Sequence, residues 1–324
     1  MFKNSLIFGC GALNWDIFFE VEDLENFSFE GFRFFPGEEY VLERKAFFEL
    51  YEKLKKEATF LAESGGGSSA NTIFALSNWG FRCAFIGAVG NDPFGEKILN
   101  NWKALSVETS FILKEGETSL ALILLDKKKD RSIIVSPGSA ENYLSYENLR
   151  ISSLRGSLLH LSSFASKEGE IFQKNLLNNF EGIVSFDPGE IYAKKGKAFL
   201  KPFLEKTKYL FVTDRELQLA RLSPVDLLEI GVNTVFIKLG KRGAMALKRN
   251  FTTRSSVYPA EKIVDNTGAG DYFNAGVLAG LLLGLPVDKA LDLGLYSASM
   301  SLRNFGRKGL LSYDEFKIFL SRLK

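Results

Sequence analysis

The chain has 324 residues, 46% hydrophobic and 25% charged, a balance that supports a sizeable folded core. Its 41 basic and 39 acidic residues give a formal charge of +2 and are spread along the chain, which argues against a nucleic-acid footprint. No run approaches the ~18 apolar residues of a membrane-spanning helix, and the two cysteines, Cys10 and Cys83, sit in apolar runs that suit buried thiols rather than a disulfide or metal framework.

Met1-Phe2-Lys3-Asn4-Ser5 leads straight into Leu6-Ile7-Phe8 without the pattern of a secretory signal, so a cytoplasmic place is expected. The 30 phenylalanines and many Lys and Glu residues are a compositional hint of a heat-adapted source. In chain order, the patterns predict a strand at 5–10, helices at 42–58 and 69–79, a strand at 82–88, a helix at 94–104 and a strand at 157–162. A helix at 167–179 follows, then strands at 182–186 and 208–212 and helices at 214–221 and 223–230. Strands at 232–238 and 244–248 precede helices at 269–283, 287–303 and 313–322. This alternation predicts an α/β fold, a mostly parallel sheet with helices on both faces.

Two segments break the rhythm. Residues 12–36 read as extended and aromatic-rich, and Thr118–Leu125 and Arg131–Val135 read as strands joined by a tip containing Lys127, Lys128 and Lys129. They predict a small β lid formed by 12–36 and 111–136. The large domain is then 1–11, 37–110 and 137–324, with a cleft at the carboxyl ends of its strands. The phenylalanines at 18, 19, 27, 29, 32, 34 and 35 would either stack a base or fill the lid core.

Three glycine-rich stretches carry the chemistry. Asp265-Asn266-Thr267-Gly268-Ala269-Gly270-Asp271 precedes a long apolar run, so a buried helix would begin at the glycines with free amides facing an anion. Asp271, in the first turn, would either complement the helix dipole or take a proton from a substrate hydroxyl beside a phosphate. Gly65-Gly66-Gly67-Ser68-Ser69-Ala70-Asn71 offers either backbone approach to a polyol or a flexible helix cap. Gly9-Cys10-Gly11-Ala12-Leu13-Asn14 partly matches a dinucleotide fingerprint, but Asn14 stands where the third glycine belongs. No P-loop occurs, since neither Gly196-Lys197-Ala198 nor Gly240-Lys241-Arg242 continues with Ser or Thr. His160, the sole histidine, reads as a strand residue with a partner, and Asp187-Pro188-Gly189 as a ligand group or a turn.

Together these stretches resemble the ribokinase-like (PfkB) family of sugar and nucleoside kinases. The resemblance rests on Asp265–Asp271 with Phe273 and Gly276; on Gly66-Gly67 and Asn71, then Gly80, Gly87, Gly90, Asp92 and Gly95; on Lys238–Ala244; and on Ser136–Ala140. It implies a Rossmann-like main domain with a β lid and ATP-dependent transfer to a hydroxyl, with Mg²⁺ and, in many relatives, potassium. It also implies Asp271 as base, with Gly268, Ala269 and Gly270 stabilising charge on the γ-phosphate. Asn14, Asp16, Gly66, Gly67 and Asn71 would hold the acceptor, and Lys238, Gly240, Gly243 and Gly306 would lie on the nucleotide side. Glu216 would organise Mg²⁺ through water, with Thr213 in place of the family's asparagine, while Asp265 and Thr267 would hold the monovalent cation. The partner is a small sugar or a nucleoside, the glycine cluster and the helical 39–62 stretch being adenosine-kinase-like. A homodimer through the lid edges is expected. Rival readings are a dinucleotide oxidoreductase and a noncatalytic sensor, the latter resting on Thr213.

Overall fold

A computed structural model describes residues 6–128, 130–149 and 154–324, with side chains in the last stretch from 158 onward. Met1–Ser5 and Lys129, which figured in the readings of the amino terminus, the first strand and the hairpin tip, lie outside the described residues.

Long apolar runs make strands buried on both faces, which is what a parallel sheet covered by helices requires. Cys83–Val89 is buried at all seven positions. Among the described residues the larger sheet has nine strands. Their order is Phe251–Ser255, Ala244–Lys248, Thr234–Lys238, Tyr209–Thr213, Phe180–Asp187, Leu154–Ser162, Ile7–Cys10, Cys83–Val89 and Ile112–Lys114. Pairing is parallel throughout except at the two contacts of Ala244–Lys248. Side chains alternate between two cores: Ile7 and Phe85 face the helices Ser68–Asn78, Ala269–Leu282 and Val287–Ser301, whereas Phe8, Ile86 and Phe186 face Lys167–Asn179 and Gly196–Leu204. Ala269–Leu282 is buried nearly all round, as its uninterrupted apolar sequence demands. No described helix is long and apolar enough to cross a membrane.

The smaller sheet has five strands among the described residues, ordered Glu39–Val41, Arg131–Ser136, Ser119–Leu125, Asn14–Glu20 and Thr59–Gly66. Its membership differs from the expected boundaries. Glu39–Val41 and Thr59–Gly66, placed by sequence in the large domain, pair here, while Ile112–Lys114, placed in the lid, pairs with Cys83–Val89 of the larger sheet. The helical stretch expected over 39–62 is correspondingly shorter, Arg44–Glu57, because both flanks find strand partners. Sequence also missed the helices Gly189–Ala193 and Gly196–Leu204, where Pro202 reads as a breaker.

The hairpin tip is closed by Asp126, whose Oδ1 accepts from the Lys128 and Asp130 amides at 2.8 and 3.0 Å. The aromatic segment is mainly core: Phe18, Phe19 and Phe34 are fully buried, and Phe34 packs on Phe27 and Tyr40. Phe32 and Phe35 remain about half exposed, at 53% and 51%.

Candidate active site

A cleft of about 620 Å³ opens between the smaller sheet and the carboxyl ends of the larger sheet's strands. Two helices aim their amino-terminal ends into it. Ser68–Asn78 starts after Gly67, at φ 100°, and Ala269–Leu282 starts after Gly268, at φ 77°. Both glycines occupy the left-handed half of conformational space that other residues avoid. The turn bonds Asp271 N to Gly268 O at 2.9 Å and Ala269 N to Asn266 O at 3.4 Å. The amides of Gly268 and Gly270 have no intramolecular acceptor among the described residues, so they are available to an anion.

Asp271 sits where the two helix ends meet. Its Oδ1 accepts from Ser68 Oγ at 2.8 Å and its Oδ2 from Asn71 Nδ2 at 2.9 Å, while Thr72 Oγ1 donates to its carbonyl at 3.1 Å. Burial raises its pKa to about 6, with the Asn71 hydrogen bond opposing. The group is therefore mostly ionised at neutral pH yet more basic than an ordinary aspartate.

Asp16, on Asn14–Glu20, faces the same space, and burial lifts its pKa to about 7 against the pull of Arg307. A Cβ on Gly66 would come within 2.0 Å of Asp16 Oδ2. On Gly67 it would meet Ala12 O at 2.1 Å. The glycine pair thus lets one strand lie against the carboxylate. Asn14, Asp16, Gly67 and Asn71 all line the cleft.

On the opposite side, Lys238 Nζ donates to Asp187 Oδ2 at 2.6 Å, and Asn274 Nδ2 donates to the same oxygen at 2.7 Å. Although burial disfavours its charge, the Lys238 pKa is raised, with Asp187 the main opposing influence; burial likewise works against Asp187, yet Lys238 pulls its carboxyl below the usual range. Lys238 Nζ lies 3.5 Å from where a Gly270 Cβ would stand, which sets this cation beside the free amides. Asp187 is thereby a charged group at the site rather than a turn residue alone. Glu216 is buried with its pKa raised to about 7, chiefly by desolvation.

Thr213 caps the helix Asp214–Ala220: its Oγ1 accepts from Glu216 N at 3.1 Å, and Glu216 Oε2 accepts from Thr213 N at 2.8 Å. Asp265 braces two loops, accepting from Thr267 N at 2.8 Å and Gly306 N at 3.0 Å, while Thr267 Oγ1 is buried without a partner. Gly240 lines the cleft. Gly66, Gly243, Asp265, Ala269 and Gly306 do not, and Gly243 is required by its φ of 87° and by Ser255 O, 2.0 Å from a Cβ there.

Sequence reasoning missed Ser68 and Arg131 as site residues. Ser68 lies inside the glycine cluster, where the sequence offers the glycines and Asn71 as the ligand groups, and it is the first residue of the helix. Arg131 lines the cleft, and its Nη1 is buried without a partner. No single-residue signal distinguishes it. None of the described lining residues is aromatic. His160 lies elsewhere, on the central strand Leu154–Ser162, with Nδ1 2.8 Å from Ser185 Oγ and its pKa lowered to about 4 by burial.

The family described as pfkB family carbohydrate kinase matches residues 41–311. An uncharacterized sugar kinase of Archaeoglobus fulgidus is 34% identical over 247 residues, covering 72% of this chain and 97% of the relative. A nucleoside kinase of Methanocaldococcus jannaschii is 26% identical, covering 72% of this chain and 78% of its own. The solved adenosine kinase of Sinorhizobium meliloti superposes with a TM-score of 0.81 at 19% identity, covering 98% of this chain and 99% of that one, which shows a shared fold.

Proposed function

The chain belongs to the pfkB family of carbohydrate kinases, and on that premise we propose that it transfers the γ-phosphoryl group of ATP to a hydroxyl of a small sugar with Asp271 as general base. The observation that carries this reading is that the free Gly268 and Gly270 amides share one helix end and one cleft with a carboxylate whose two oxygens are held by Ser68 and Asn71.

Asn14, Asp16 and Asn71, with the backbone at Gly66 and Gly67, bind the acceptor's hydroxyls. A carboxylate offers about four acceptor positions, so Asp271 can receive one further hydroxyl beside its two donors. Asp271 takes that proton, the oxygen bonds to the γ-phosphorus, and the bond to the β-phosphate oxygen breaks to release ADP. The amides of Gly268 and Gly270 and the Lys238 cation offset the charge of the transferring group, whereas the expected Ala269 amide is spent on Asn266 O. Mg²⁺ neutralises phosphate charge when bound, and Glu216, capped against Thr213, is the group of this chain that would hold it through water. Gly240 borders the nucleotide side. The unpartnered Thr267 hydroxyl supports an alkali ion beside Asp265, though both oxygens of Asp265 already accept backbone amides.

A nucleoside acceptor is the second reading, favoured by the helix Arg44–Glu57 ahead of the glycine cluster. Against it, no aromatic side chain among the described residues lines the cleft to stack a base. A noncatalytic sensor rests on Thr213 alone, and the cap that Thr213 forms with Glu216 supports the kinase reading over it. The same proposal includes a cytoplasmic place, in keeping with two free cysteines, and a homodimer through the edge strand Thr59–Gly66, where Phe60 is exposed.

The test is ADP release from Mg·ATP with ribose, fructose, fructose 6-phosphate, 2-keto-3-deoxygluconate, adenosine, inosine and cytidine, with and without potassium. Turnover of a sugar supports the leading reading and turnover of a nucleoside alone the second. ATP binding with no transfer to any acceptor, unaltered by Asp271→Asn, would count against both.

A further inference from the structure

Arg307 follows Gly306 in the short turn Gly306–Gly309 and carries none of the roles given above. It is a buried cation with an uncommon set of contacts. Its Nε donates to Asn71 Oδ1 at 3.1 Å. Its guanidinium carbon lies 4.4 Å from the ring centroid of Phe74 and 5.2 Å from that of Trp102. Nη1 and Nη2 are buried without hydrogen-bond partners, and Nη1 would touch a Cβ on Gly65 at 2.5 Å. The guanidinium thus lies directly under the glycine strand that borders the acceptor site. Aromatic faces offset part of its desolvation, but a buried arginine with one hydrogen bond is costly unless it serves something.

We propose that Arg307 is a positioning residue that locks the side-chain amide of Asn71 so that Nδ2 faces Asp271. An asparagine amide has an accepting end and a donating end, and either can face a given neighbour. Arginine only donates. With Nε on Oδ1, the other end must be Nδ2, and it meets Asp271 Oδ2. The reverse orientation would set donor against donor at Arg307 and oxygen against carboxylate at Asp271. Arg307 therefore acts through Asn71 to keep a donor on the base and favour its ionised form. The other charged groups that act on Asp271 lie on different elements: Asp187 and Lys238 on strands of the larger sheet, and Asp16 and Arg131 on the smaller one. None of them touches Asn71.

This inference rests on Asp271 being the base, so its test reads the carboxyl itself rather than turnover. The whole chain is labelled with aspartate carrying ¹³C at the carboxyl, and the Asp271 signal is identified by its loss in Asp271→Asn. In the parent chain it should titrate near the value of about 6. Arg307→Met removes donor and charge at similar volume and should move the midpoint up by roughly one pH unit or more. Arg307→Gln is equally neutral but keeps an N–H near the place of Nε, so it should recover much of that shift. In an Asn71→Ala background the two variants should titrate alike. Thermal melts check folding, and Arg307→Leu replaces Arg307→Met should the latter fail to fold. Equal midpoints for the Met and Gln variants in the presence of Asn71 overturn the proposal, leaving Arg307 as packing and charge alone. Activity surviving in Asp271→Asn would instead overturn the base, a separate failure.

Discussion

Ser68 and Asp271, 203 positions apart in the chain, stand 2.8 Å apart, hydroxyl on carboxylate. That contact joins the first turns of two helices whose only shared feature in sequence is a preceding glycine run. It fixes the carboxylate in the lining of the cleft, where burial raises its pKa.

Asp271→Asn keeps the shape and the contact with Ser68 but removes the proton acceptor. Turnover should fall by about 10²-fold to 10⁴-fold, the usual worth of a positioned base. ATP affinity by calorimetry should change little, and the melting temperature should not fall, because a buried carboxyl has been replaced by a neutral amide. Near-normal turnover would remove Asp271 from the mechanism.

The pH profile of kcat/KM should have an acid limb. Asp271 works when ionised, and with its pKa at about 6 activity should drop roughly tenfold for each pH unit below that point. Ser68→Ala removes one donor from the ionised form, so the limb should move to higher pH. An unmoved limb in that variant would show that another group sets it.

Stability of the ligand-free chain should depend on pH in the opposite sense to ordinary acid denaturation. Asp16, Asp271 and Glu216 have ordinary values of 3.8, 3.8 and 4.5 and folded values of about 7, about 6 and about 7. Between those values the folded chain holds more protons than the unfolded one, so stability falls as pH rises from about 4 to about 7. A melting temperature higher at about pH 5 than at about pH 8 is the expected result. His160, lowered to about 4 from 6.5, acts the other way in the same window, because there the unfolded chain binds its proton, but one group does not offset three. Asp226 and Glu315, both lowered to about 2, act mainly below it.

The two glycines of the cluster should fail differently. Gly67→Ala places a Cβ 2.1 Å from Ala12 O at a φ of 100°, so it should lower stability by about 2 kcal/mol or more. In Gly66→Ala the Cβ meets a side chain instead, the Asp16 carboxylate at 2.0 Å. Displacing Asp16 should raise the acceptor's KM while leaving that of ATP nearly unchanged. Equal effects on both constants would argue that Asp16 does not hold the acceptor.

Thr213→Asn should leave stability and activity close to the parent, since asparagine caps as well as threonine. Thr213→Ala should cost about 1 kcal/mol through loss of the cap on Glu216 N. A large gain in activity in the asparagine variant would mean that the threonine weakens the nucleotide side.

Much of the fold was legible because it depends on local periodicity. Buried strands such as 82–88 and helices such as 167–179 declare themselves by apolar runs and 3.6-residue spacing, and the structure returns them nearly unchanged as Cys83–Val89 and Lys167–Asn179. Glycine runs likewise marked where backbone packs too closely for a Cβ, as at Gly66 against Asp16 and Gly67 against Ala12, because a missing Cβ is visible in a sequence. Partnership between distant segments was not legible. Thr59–Gly66 became a strand only because Asn14–Glu20 offered it an edge, and Ile112–Lys114 joined the larger sheet because Cys83–Val89 did. The same holds for charge: that Lys238 neutralises Asp187, that Ser68 and Asn71 hold Asp271, and that Arg307 reaches Asn71 are facts of side chains brought within about 3 Å of each other. Sequence supplied the candidate groups; desolvation and those contacts, which exist only after the chain has folded, decided their protonation and direction.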